Sequence, residues 1–134
     1  MQHCLLPLMC VLWAWPLSTQ AATSRPLMDK IVITVGNNHG WSGEEPLRFA
    51  HRDAERMAAV LSELGFAEPQ RVYVLKEATP SKLKQVLTEV KGRSSELVGM
   101  GREIMLLFYY AGHGDHKTLH MGKDALEIKR LLAG

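Results

Sequence analysis

The 134 residues leave room for one small domain, and 16 Lys and Arg against 14 Asp and Glu give a formal net charge of only +2. That near balance, with charges interspersed and no aromatic residues within a basic stripe, excludes a nucleic-acid-binding or polybasic membrane-surface protein. A hydrophobic share of 46% is that of an ordinary globular chain.

In chain order, residues 1–22 come first. The string MQHCLLPLMCVLWAWPLSTQAA carries no Lys, Arg, Asp or Glu and is apolar from Cys4 to Leu17. It is too short for a membrane span, so no stable membrane insertion is expected. The apolar core, the polar Ser18 to Gln20 and the small Ala21 and Ala22 read as a secretory signal peptide cleaved near Ala21 or Ala22. The expectation is export to the periplasm or the extracellular space. Both cysteines, Cys4 and Cys10, lie inside this leader. Cleavage therefore leaves neither a disulfide nor a Cys-based zinc site.

Residues 23–29 form a polar linker, and a domain over 30–134 follows in which compact apolar runs alternate with amphipathic stretches, the pattern of βαβ units. Lys30 to Gly36 (KIVITVG) predicts a strand buried on both faces. Pro46 predicts a helix start, with Leu47, Ala50, Ala54, Met57, Val60, Leu61 and Leu64 at helical spacing and Gly65 as the stop. Arg71 to Lys76 predicts a second strand. Thr79, as N-cap before Pro80, opens a helix with the apolar stripe Leu83, Val86, Leu87 and Val90. Ile104 to Tyr110 is the most apolar run and is expected to be the central strand. Thr118 to Met121 predicts an edge strand or hairpin, and Ala125 to Leu132 the start of a third helix.

His113, between Gly112 and Gly114 directly after the third strand, lies where an open α/β sheet gathers its catalytic groups. An imidazole there can exchange protons with a thiol and a leaving amine, and the Gly114 N–H can face a developing oxyanion. Taken alone, Gly-His-Gly more often marks a turn in which His113 merely bonds a carbonyl. His113, Asp115, His116 and His120 fall within eight residues, but their spacing matches no metal-ligand motif, and no metal or other cofactor is expected. The loop from Gly36 to Gly43 lacks the Gly and Lys pattern of a phosphate-binding loop.

Three stretches, VITVGNNHGWSGEEPLRFAHRDAERMAAVLSELGF, RVYVLKEAT and LLFYYAGHGDHKTLHMG, resemble bacterial caspase-like cysteine peptidases in order and spacing. The resemblance implies a caspase-like three-layer αβα sandwich, present here as a partial parallel βαβαβ core of strand order 2-1-3. It implies that His113 is the catalytic histidine and that the Gly114 N–H belongs to the oxyanion hole. It draws attention to Arg48 and Asp53 as substrate-pocket candidates, since animal caspases hold an acidic substrate side chain with a basic residue and metacaspases hold a basic one with acids. A charge at a helix N-terminus and its solvent-facing neighbour explain the same two residues. In the family the nucleophile is a Cys on the next parallel strand, within an Asp-x-Cys-x-Gly type of sequence, and no such Cys occurs before Gly134. The expected function is a cysteine-type endopeptidase domain acting on peptide or protein substrates, inactive as an isolated chain, with the thiol on a complementary chain or segment. The alternative is a non-catalytic pseudo-peptidase or protein-interaction module with the same fold.

Overall fold

The computed structural model describes residues 27–132, so the expected leader, both cysteines and the first part of the linker lie outside the described residues. The first strand, β1 (Met28–Gly36), starts two residues before Lys30 and is buried continuously from Ile31 to Gly36. It runs between two parallel neighbours, β2 (Val72–Lys76) and β3 (Glu103–Ala111), in the order β2-β1-β3. This is the 2-1-3 order expected of a caspase-like α/β core.

One expectation is corrected here. The central strand is β1, and the more apolar β3 pairs only with β1 among the described residues, from Met28 opposite Glu103 to Gly36 opposite Ala111. Its Met105 and Leu106 are 41% and 46% exposed. Apolarity reports how well the two faces of a strand are covered and says nothing of its edges, so it cannot rank strands by position in the sheet.

Alternation along β1 sends side chains to two different layers. Ile31, Ile33 and Val35 join a core with Leu83, Val86 and Val90 of α2 (Pro80–Gly99) and with Met121. On the opposite face, Gly36 meets α1 (Ala50–Glu63) so closely that a Cβ there would strike the carbonyl oxygen of Ala50. The helix accordingly buries Ala50, Ala54 and Ala58, small residues at a four-residue repeat. Val60 and Leu64 of the expected apolar stripe are exposed instead. The helix also begins four residues after Pro46, because the residues before it form a loop tied by Leu47 N–H donating to Asn38 O at 2.7 Å.

Both helices end in the same way. Gly65 follows α1 with φ +64°, its N–H donating to Ser62 O while Phe66 N–H reaches back to Leu61 O. Gly101 follows α2 with φ +77°, and the N–H groups of Gly101 and Arg102 repeat the pattern on Val98 O and Leu97 O. These are Schellman terminations, in which glycine supplies the left-handed residue that turns the chain toward the next strand. Thr79 caps α2 as expected, its Oγ1 accepting from Lys82 N–H at 3.2 Å.

After β3 the chain forms an antiparallel hairpin of β4 (Thr118–Met121) and β5 (Asp124–Glu127), followed by a short helix, α3 (Ile128–Leu132). Ala125 and Leu126, expected in a helix, are therefore in a strand. Pairing with β4 across Gly122, at φ +67°, overrides local helix preference. Leu119, Met121, Leu126 and Leu131 pack on the α2 side of the sheet.

The amino end of the sheet is closed by charge. Asp29, 1% exposed, accepts from Arg71 and from Arg102, whose Nη2 lies 2.7 Å from Oδ1. The Arg102 hydrogen bond, joined by Arg71 and opposed by burial, holds the Asp29 carboxyl below the usual carboxylate range. No helix among the described residues is long and apolar enough to cross a membrane.

Candidate active site

The carboxyl ends of the three strands converge, and backbone and amide bonds tie their loops together. Asn37 N–H donates to Ala111 O at 2.9 Å, joining the loop after β1 to the end of β3. The buried Asn37 side chain accepts from Ala78 N–H at 2.9 Å and donates to Ala78 O at 2.8 Å, joining the same loop to the one after β2. A fixed platform results, and His113 stands on it two residues past the end of β3.

The glycines around His113 serve close approach. Neither Gly112 nor Gly114 has a positive φ. A Cβ on Gly112 would strike the Tyr110 hydroxyl, and one on Gly114 would come within 2.9 Å of Thr118 O. The Tyr110 hydroxyl lies 2.6 Å from His120 O and 3.2 Å from His113 O and donates into that pair. Burial, with the nearby charges of Glu44 and Glu77 adding to it, pushes its pKa up to about 12, so it remains a donor. The hairpin grips the turn as well: His120 N–H donates to His113 O and Asp115 N–H to Thr118 O, each at 2.9 Å.

The imidazole of His113 is oriented by a backbone carbonyl from the loop before α1. Nε2 lies 2.8 Å from Glu45 O. A carbonyl can only accept, so the neutral ring carries its proton on Nε2 and keeps its lone pair on Nδ1. No described residue bonds Nδ1, and the Gly114 N–H likewise meets no acceptor among the described residues. An imidazole nitrogen with a free lone pair and a backbone N–H without a described acceptor thus adjoin in one turn. The bond of His113 to a carbonyl is present, and because the ring has two nitrogens it leaves the other one unengaged by the described residues.

Two carboxylates support the loops around this turn. Glu44 Oε2 accepts from Trp41 N–H at 2.6 Å, and Oε1 accepts from His120 Nδ1 at 2.7 Å. Burial raises the pKa of Glu44, but these donors outweigh it and the carboxyl lies below its ordinary value. Glu77, with φ +45°, sits in a region that non-glycine residues rarely adopt. Its Oε1 is the common acceptor for Asn38 N–H at 2.9 Å, His39 Nδ1 at 3.1 Å and His51 Nε2 at 2.6 Å. Burial again opposes ionisation and the three donors overcome it, lowering the pKa.

Arg48 and Asp53 are both exposed, and neither side chain forms a hydrogen bond or ion pair with a described residue. Arg48 sits in the loop before α1. Asp53 lies in the first turn of α1, where a carboxylate favours the helix dipole, and with Tyr109 lines a shallow hollow of about 230 Å³. No hydrogen bond or ion pair joins either side chain to His113. Asp115 is turned into its own loop, accepting from the N–H groups of Lys117 and Thr118 and from the Thr118 hydroxyl, which hold its carboxyl far below the usual range. His116 is exposed. Among the described residues no group of three His, Cys, Asp or Glu side chains is arranged to hold a metal ion.

The parts that sequence reasoning missed are the Glu45 carbonyl, Glu44, Trp41 and His120. Every residue has a carbonyl, so Glu45 carried no signal. His120 was visible only as a member of a rejected metal pattern.

The caspase domain family matches residues 29–132, nearly the whole of the described chain. No curated protein and no solved structure matches. A parallel 2-1-3 core that delivers a Gly-His-Gly turn to the carboxyl edge of its third strand agrees with that match, and the chain belongs to the caspase domain family.

Proposed function

We propose that this chain is the histidine-bearing part of a cysteine-type endopeptidase, with His113 as the proton acceptor and donor and the Gly114 N–H as an oxyanion donor. The observation that carries the reading is the bond from His113 Nε2 to Glu45 O, because it leaves Nδ1 to receive a thiol proton. The thiolate then attacks the peptide carbonyl, the Gly114 N–H receives the developing negative charge, and the imidazolium returns its proton to the leaving amine. The described residues contain no cysteine. The edge of β3 that no described strand pairs supports delivery of the thiol by a strand added there, whether from a complementary segment or another chain. Arg48 and Asp53 are the candidates for contact with a charged substrate side chain.

The test is peptide cleavage by two proteins: the 134-residue chain and the same chain joined to the Cys-bearing half of a caspase-like relative. The first should be inactive. The second should cleave, be blocked by thiol alkylation, and lose about two to four orders of magnitude in rate on His113→Ala. Thiol-independent cleavage by the chain alone, or full activity in the completed His113→Ala protein, overturns the mechanism. A completed protein that binds peptides without cleaving them points instead to the interaction module. The uncharged leader supports export, and N-terminal sequencing of the mature protein should find a start after Ala21 or Ala22.

A further inference from the structure

Glu44 and Glu45 are consecutive residues of one loop, and they hold two different histidines. The Glu45 carbonyl binds His113 Nε2 at 2.8 Å, and the Glu44 carboxylate binds His120 Nδ1 at 2.7 Å. The two histidines are themselves joined through their backbones, His120 N–H donating to His113 O. The four groups therefore close a ring: loop, His120, His113 and back to the loop. Trp41 tightens it, its N–H donating to Glu44 and its indole stacked on the His120 ring at 3.7 Å and 11°. Gly40 lies beneath, so close to Glu44 Oε2 and the His113 ring that no Cβ fits between them.

His120 is expensive for what it contributes to packing. The residue is 5% exposed, and its Nε2 is buried with no hydrogen-bond partner, the nearest acid being Asp115 Oδ2 at 3.6 Å. A buried polar atom without a close hydrogen-bond partner destabilises a fold, and a phenyl ring at the same place would keep the stack on Trp41 without that cost but would leave the Glu44 carboxylate short of a donor. Packing alone does not explain an imidazole here. Its Nδ1–H does, because this is the donor that anchors the loop carrying the Glu45 carbonyl.

We propose that Glu44 and His120 are positioning residues for His113: their contact holds the Glu45 carbonyl against Nε2 and so selects the tautomer that leaves Nδ1 free to accept a proton. The proposal rests on the reading of His113 as the proton acceptor, but it concerns an equilibrium that can be measured without catalysis.

Long-range ¹H–¹⁵N NMR of the full chain at a pH where the rings are neutral distinguishes the two tautomers of His113, with its signals assigned by their loss in His113→Ala. Wild type should show the Nε2–H form. Glu44→Ala and His120→Phe should each reduce the ratio of Nε2–H to Nδ1–H forms roughly tenfold, the equilibrium weight of one hydrogen bond. Glu44→Gln, which keeps an acceptor oxygen, should restore most of it. His120→Phe also removes the donor to Glu44 and should melt below wild type, so the tautomer ratio is read well below each variant's melting transition, where circular dichroism shows the chain folded. An unchanged His113 tautomer in His120→Phe and Glu44→Ala, or a wild-type ring with its proton on Nδ1, overturns the proposal. If the tautomer shifts as expected but the protein completed with a Cys-bearing half cleaves nothing, positioning stands and the peptidase reading fails. If it cleaves and the variants keep both rate and tautomer, only the positioning role fails.

Discussion

The two ends of the parallel sheet both hold carboxylates whose pKa lies below the ordinary value, but with different partners. At the amino end Asp29 is gripped by two guanidinium groups, which carry their charge at any pH a protein meets. At the carboxyl end Glu44 and Glu77 are gripped by imidazoles and backbone N–H groups. Imidazole is the side chain whose charge changes near neutrality and which can present either nitrogen. One end holds charges that do not change, and the other holds the groups on which the proposed proton transfer rests. The fold separates the two tasks by the full length of β1.

The comparison can be broken most severely at the invariant end. Asp29→Ala leaves Arg71 and Arg102 facing each other without a counter-charge, and loss of one partner from a buried ion pair is far costlier than replacement of the pair. It should give the largest fall in melting temperature of any single change discussed here, read by circular dichroism. If the carboxyl-end substitutions cost as much, the contrast is false.

Acid titration sharpens the same contrast. Asp29, Glu44 and Glu77 ionise more readily folded than unfolded. Each therefore contributes stability that is complete above the unfolded value and is lost as pH falls through the lower folded value. Melting temperature should begin to drop below about pH 4. Asp29→Asn should flatten that slope more than Glu44→Gln or Glu77→Gln.

A smaller loss is expected where the active end is tied to the sheet. Asn37→Ala removes both side-chain bonds to Ala78 and strands a buried N–H and C=O, at a cost of about 1–3 kcal/mol by urea denaturation. Smallest is His113→Ala. The ring is half-buried and makes one side-chain hydrogen bond, so unfolding free energy should change by less than about 1 kcal/mol. A larger change would make His113 part of the scaffold rather than a residue set upon it.

Much of this was legible in the sequence, for a physical reason in each case. The β-branched run of β1 and the Thr79-Pro80 start of α2 are local signals, and the structure has both. His113 stood out because two glycines after an apolar strand are easily read. The start of α1 was misread because Pro46 and Leu47 imitate a helix N-terminus, whereas a bond to Asn38 O holds that stretch as loop. Ala125 and Leu126 were misread because their fate depends on pairing with β4. The clasp of Glu44 on His120 spans 76 residues, and no local pattern encodes a contact at that distance.

Asp29 also constrains when the sheet can be completed. Its partners lie 42 and 73 residues further along the chain. A ribosome adding about 5–20 residues per second emits the second arginine roughly 4 to 15 s after the aspartate. In the later part of that interval, once Arg71 and β2 have been made, β1 can pair with β2 but not with β3, and the carboxylate has only Arg71 to answer it. Synthesis order therefore permits the β1–β2 half to form first and the β3 half to join it on arrival. The histidine turn, directly downstream of β3, is among the last parts of the described chain to find its place.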